Sequence, residues 1–144
     1  MRRVRRQALV PYPASTMYAL VNDVASYPEF LPWCRSSEVR EEREDFMEAS
    51  LELVKGSWSG VFTTSNHLVP GRRIEIGLRE GPFRHLEGVW LFESLSDAGS
   101  EVSLRLDFEF RNALAGLVAG PIFEDIANSL VDSFVHRARK ICDL

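Results

Sequence analysis

Pro121-Ile122-Phe123-Glu124-Asp125-Ile126-Ala127-Asn128-Ser129-Leu130-Val131-Asp132-Ser133-Phe134-Val135-His136-Arg137-Ala138-Arg139-Lys140-Ile141 is the stretch that decides the fold. Ile122, Phe123, Ile126, Ala127, Leu130, Val131, Phe134, Val135, Ala138 and Ile141 recur at steps of three and four. That spacing places them on one broad helical stripe. Glu124, Asp125, Asn128, Asp132, His136, Arg139 and Lys140 fall on the other face, acidic early and basic late, as the helix dipole favours. Roughly twenty-two residues at about 1.5 Å each make about 33 Å of helix, close to the diameter of a small domain. One long helix therefore needs one large apolar surface, and the rest of the chain has to supply it.

Working back toward the N-terminus, the period changes to two. Val102, Leu104, Leu106, Phe108 and Phe110 alternate with Glu101, Ser103, Arg105, Asp107 and Glu109. The same alternation runs through Met47 to Leu53, Trp58 to Leu68, Ile74 to Leu78 and Leu86 to Phe92. Turn signals at Glu44-Asp45, Pro70-Gly71, Gly81-Pro82 and Asp97-Ala98-Gly99 separate the runs. Short strands joined by tight turns predict an antiparallel meander over Ser36 to Phe110 with one apolar face. Gly60 and Gly88, on the inward phase, ease the curl that such a sheet needs to wrap a helix. Asn112 is placed to cap the closing helix. Gly116, Gly120 and Pro121 interrupt its first third, where proline should kink the helix or restart it, and two helical pieces meeting near Gly120 are one expected outcome.

At the N-terminus, Arg2 to Val10 reads as an edge strand, with its arginines on the solvated side to discourage aggregation. Ala14 to Val24 predicts a short amphipathic helix, and Pro13 leaves its start without a side-chain cap. Tyr27-Pro28-Glu29-Phe30-Leu31-Pro32-Trp33-Cys34 packs two prolines among large apolar residues. It predicts one helical turn and a tight corner carrying an aromatic cluster. The sum is a single α+β domain over residues 1–144, in the order β-α-α-β6-α.

Bulk properties narrow the function classes. A chain of 144 residues, 45% hydrophobic and 26% charged, can bury a core without metal or disulfide. Its net charge of −4 argues against DNA binding and leaves room only for a local basic patch. No run approaches the eighteen or so apolar residues of a membrane span, and no secretory h-region follows Met1. Two cysteines, Cys34 and Cys142, fit reduced thiols in a cytoplasmic protein. His67, His85 and His136 lack metal-ligand spacing, so no metal site is expected. No nucleophile motif or phosphate-binding glycine loop occurs, and a non-enzymatic role is expected.

The positive signal is apolar bulk on the concave side. Trp58, Phe62, Trp90, Phe92, Phe108 and Phe110 share the inward phase and face Phe123, Ile126, Leu130 and Phe134 of the helix. A filled core is one outcome of that arrangement. The other is a cavity, with Ile76 in its wall and Thr64 and Asn66 as its placed polar groups. The corner bearing Phe30, Leu31 and Trp33 is expected at the mouth.

Val10-Pro11-Tyr12, Asn22-Asp23-Val24, Ser26-Tyr27-Pro28-Glu29-Phe30-Leu31-Pro32, Gly81-Pro82-Phe83 and Leu106-Asp107-Phe108-Glu109-Phe110 together carry a family resemblance. With Phe123 through Ala138, they resemble the START-like proteins of the polyketide-cyclase superfamily over essentially the whole chain. The match is to the branch of mitochondrial coenzyme-Q-binding proteins and bacterial ribosome association toxins of the RatA type. The resemblance implies the helix-grip fold, a curved sheet wrapped around a long C-terminal helix. It also implies binding of a hydrophobic small molecule, foremost a polyprenyl quinone such as ubiquinone, in support of respiration, with no cofactor required. Asn66 or Thr64 would meet the headgroup and the aromatic residues the tail. Phe30, Leu31 and Trp33 would open toward the inner membrane in transient peripheral contact. The alternative implied by the toxin members is binding to the large ribosomal subunit and obstruction of subunit association. The arginines of the first strand, with Arg137, Arg139 and Lys140, would then meet RNA.

Overall fold

The computed structural model describes residues 1–143. The chain runs β1 (Arg2–Val10), α1 (Ala14–Asn22), a 3-10 turn (Val24–Ser26), α2 (Tyr27–Phe30), β2 (Cys34–Arg43), β3 (Phe46–Lys55), β4 (Trp58–Val69), β5 (Arg73–Glu80), β6 (Phe83–Ser94), β7 (Ser100–Phe110) and α3 (Ala113–Cys142). All seven strands form one antiparallel sheet in the order β1-β7-β6-β5-β4-β3-β2. The meander accounts for six of them, and β1 returns to cover the edge of β7.

Alternation sets which residues face α3. Phe108 and Val102 on β7 and Met47 on β3 are fully buried, and Leu53 on β3 nearly so. From the helix, Phe123, Ile126, Ala127, Val131, Phe134 and Ala138 fill the concave side. The stripe ends there, because Ile141 is 40% exposed. Asn112 caps α3 by accepting from the Leu114 and Ala115 amides at 2.9 and 3.2 Å. Pro13 supplies no side-chain cap to α1, and its carbonyl oxygen takes the Thr16 and Met17 amides instead.

Three expectations are corrected. The chain does not break at Gly120: α3 is one helix of 30 residues with Pro121 inside it, or about 45 Å. Pro121 is on the solvent side, so the carbonyl its ring leaves unpaired can be met by water. By length and composition alone α3 is also apolar enough to cross a membrane, contrary to the expectation from apolar runs, but here it packs its stripe against the sheet as a core helix does. Finally, the arginines of β1 are divided by the period of two rather than shared on one face. Arg2 and Arg6 lie on the side of Val4 and reach across to α3, at 3.1 Å to Glu124 and 3.0 Å to Asn128. Arg3 turns to the convex side and donates to the nearly buried Asp107 at 2.8 Å.

Close approach at the centre of the sheet is tightest at Gly88. A Cβ there would stand 2.7 Å from Leu106 Cδ1 and 2.8 Å from the Arg105 carbonyl oxygen. The backbone oxygen is held in the β6–β7 ladder and cannot step aside. Gly88→Ala should therefore cost about 1–3 kcal/mol by overpacking. Urea unfolding measures it, and an unchanged midpoint would count against this packing.

Candidate functional site

Aromatic rings divide the interior into two groups. Toward the N-terminal half of α3, Phe83 meets Phe110 and Phe123 with centroids 4.7 and 5.0 Å apart, and Phe108 meets Phe123 at 4.7 Å. Toward its C-terminal half, Phe134 is the hub, touching Tyr27, Phe30 and Trp90 edge-on at 5.4 to 5.5 Å. Between the two groups lies a cavity of about 100 Å³.

Trp33, Phe62, Thr64, Asn66, Ile76 and Trp90 contribute to the cavity wall from the sheet side, and Phe123, Ile126 and Leu130 from α3. All nine are among the residues expected to line it. Tyr27, Leu51, Leu53, Leu86, Leu106 and Phe134 complete much of the remainder. Most of these share the inward phase, but periodicity alone gives no depth along a strand, so it does not say which inward residues meet around one space. Phe83 begins β6 directly after Gly81-Pro82, where no alternation marks its side, yet it is 1% exposed.

Five of the expected wall residues lie elsewhere. Leu31 is fully buried behind the wall. Phe30 packs on the outer side of Phe134 and carries the Arg137 guanidinium at 4.7 Å from its ring. Phe92 stacks beyond Trp90 and meets Tyr18. Phe108 is consumed by the first aromatic group. Trp58 stands over Phe110 and Phe123 and lines a separate groove. The Phe30-Leu31-Trp33 corner is therefore no apolar mouth. Leu31 and Trp33 are core, because the short α2 turns both inward.

Asn66 is the polar feature of the cavity. It is 8% exposed, and its Oδ1 accepts no hydrogen bond from the described residues. An unmet buried amide oxygen costs on the order of 1–3 kcal/mol. On the opposite face of the same strand, Thr63 satisfies its hydroxyl against Ser50 at 2.6 Å. Among the described residues Tyr27 is the only ionisable one in the cavity wall, and burial pushes its phenol far up while it donates to the Val21 carbonyl oxygen. The wall thus provides hydrogen-bonding groups and apolar surface, with no acid, base or nucleophile ionisable near neutrality. Among the described residues no cluster of three or more His, Cys, Asp or Glu side chains could hold a metal ion.

Cys34 belongs to the scaffold. Burial first, and the neighbouring Glu52 second, push its thiol up from 9.0 to about 11.

This architecture, a seven-stranded sheet closed by a long C-terminal helix over an apolar cavity, defines a START-like domain. The chain belongs to the family described as polyketide cyclase / dehydrase and lipid transport, which matches residues 10–135. Within it, the chain is 48% identical over 138 residues to the ribosome association toxin RatA of Pseudomonas aeruginosa, covering 96% of each. It is 26% identical over 141 residues to the mitochondrial coenzyme Q-binding protein of Schizosaccharomyces pombe, covering 94% of this chain and 85% of that one. The crystal structure of the Zhui aromatase/cyclase from Streptomyces sp. R1128 superposes with a TM-score of 0.84 at 21% identity, covering 97% and 95% of the two chains. That likeness speaks to the fold.

Two outcomes follow from the site. Asn66→Leu removes an unpaired buried oxygen from an apolar wall, so it should leave stability unchanged or raise it by about 1 kcal/mol. Thermal unfolding tests this, and a loss of 2 kcal/mol or more would mean that Asn66 has a partner. In the folded protein Cys142 should react promptly with a thiol reagent, and Cys34 only on unfolding. The Cys34 proton is kept in the folded state and lost from the unfolded chain above about pH 9, so stability falls from there toward pH 11. Cys34→Ala should flatten part of that alkaline loss, and an identical pH profile would contradict it.

Proposed function

We propose that this protein acts on the ribosome, binding the large subunit and opposing subunit association, by a non-enzymatic mechanism. The observation that carries this reading is 48% identity across 96% of both chains to a protein named ribosome association toxin. The coenzyme Q-binding relative is far less similar, at 26%.

Two structural features support the reading. The cavity, at about 100 Å³, is well below the roughly 300–1,000 Å³ of pockets that enclose drug-sized ligands. A polyprenyl tail would require α3 or the Tyr27–Trp33 corner to move. The second feature is on the convex face, where Arg5 and Arg105 stand opposite each other in the β1–β7 register. Neither pairs with a carboxylate among the described residues, unlike Arg3 beside them. Like charges facing each other across a ladder are unfavourable. A phosphate backbone relieves that repulsion, and with Gln7 and Ser103 the two arginines border a groove of about 610 Å³.

A second reading rests on Asn66. Its unpaired Oδ1 in an apolar wall suits a small hydrophobic molecule with one hydrogen-bond donor, or a reduced quinone ring, held without its full tail.

Sedimentation of purified subunits tests the main reading. The protein should pellet with large subunits at low salt, and raising salt should release it steeply. Arg5→Glu with Arg105→Glu should weaken binding about tenfold or more, since each charge reversal removes a phosphate contact and adds repulsion. Failure of the unsubstituted protein to pellet at low salt would refute ribosome binding. Undiminished pelleting of the double variant would refute the arginine face.

A further inference from the structure

The outer side of α3 changes character at Glu124. Beyond it, the outward positions are Asp125, Asn128, Asp132, His136 and Arg139, as a solvated helix face requires. Before it, the outward positions are Leu114, Leu117, Val118 and Pro121. The inner side of these same first turns is also apolar: Gly116 and Ala119 pack toward Phe110 and the sheet. A helix that is apolar all round belongs in a core or a membrane. Here its outer half is bare, with Leu114 77%, Leu117 72% and Val118 62% exposed.

The bare turns are continuous with a groove of about 910 Å³ at this end of the molecule. Trp58, Val61 and Pro82 line it along with Val118, and Val61 is itself 58% exposed. Among the described residues, the only charged one in the groove wall is Arg111. Lys55, exposed and opposite Trp58 in the β3–β4 register, adds a second cation at the rim. The amino end of the helix dipole adds partial positive charge of the same sign. Of the nearby carboxylates, Glu109 is paired with Arg84 at 3.9 Å, Glu52, opposite Val61 in the β3–β4 register, accepts from Ser36 at 3.1 Å and lies 4.0 Å from Arg35, and Glu80, just before Gly81, pairs with no cation among the described residues.

We propose that the first two turns of α3 and this groove form a docking face for an anionic lipid surface. Leu114, Leu117 and Val118 enter the acyl boundary, Trp58 lies at the headgroup level, and Arg111 and Lys55 meet lipid phosphates. An apolar face rimmed by cations and an interfacial tryptophan is the combination that lipid surfaces recognise. Two helical turns give a shallow, reversible attachment rather than a span. The face is at the opposite end of α3 from Phe30 and Arg137, so it is separate from the corner that sequence alone would favour for membrane contact.

Vesicle flotation of the full chain tests this. The protein should float with phosphatidylcholine vesicles that contain phosphatidylglycerol, less so with phosphatidylcholine alone, and the tryptophan emission should shift to the blue. Leu114→Ser with Leu117→Ser should lower the bound fraction about tenfold or more while leaving thermal unfolding unchanged, since both side chains are exposed. Arg111→Glu should weaken binding to the anionic vesicles only. No flotation with either vesicle would overturn the proposal, as would equal flotation of the double variant. A dimer of the unsubstituted chain that the double serine variant dissociates would also overturn it, showing that a second copy covers the face.

Discussion

Everything else in this molecule is arranged around the contact between α3 and the concave side of the sheet. Neither element can bury its apolar side alone. The helix offers Phe123, Ile126, Val131, Phe134 and Ala138, and the sheet answers with Leu53, Phe62, Trp90 and Phe108. At about 25 cal/mol per Å², each fully buried large side chain contributes roughly 1.5–3 kcal/mol. The polar latch along β1 is weaker, because Arg2 and Glu124 are both more than a third exposed. Its effect is to fix the register in which the helix lies along the sheet edge.

That same packing decides what the interior can do. Two aromatic groups nearly fill the space that a family built on this fold can hollow out, and the remainder is a small cavity with one unpaired amide oxygen. The surface, by contrast, carries two unbalanced features. Arg5 and Arg105 face each other without a counter-charge, and Leu114, Leu117 and Val118 face solvent without a cover. Folding alone rewards neither. A functional account that begins from the surface therefore explains more of this sequence than one that begins from a bound tail.

Much of the fold was legible because helices and strands write their burial in one dimension. The stripe from Phe123 to Ala138 and the alternation from Val102 to Phe110 each name their own inner side. The cap at Asn112 was legible for the same reason, since its partners are only two and three residues away. What was illegible depends on long-range pairing. Arg2 and Glu124 are 122 residues apart, and nothing in either neighbourhood announces the other. The depth of Leu31 and the displacement of Trp58 from the cavity are of the same kind. Alternation says which way a side chain points, whereas its neighbours across the sheet decide what it touches. Pro121 does not end the helix, because the carbonyl that loses its partner lies in a turn that faces water, where solvent can replace the missing bond.

The most direct test of the proposed ribosome binding is the rejoining of ribosomal subunits followed by light scattering as magnesium is raised. With the protein present at equimolar amounts, the account predicts a smaller scattering rise, restored when salt strips the protein from the large subunit. A full rise at low salt, with the protein demonstrably folded and in excess, would contradict it and return attention to the cavity around Asn66.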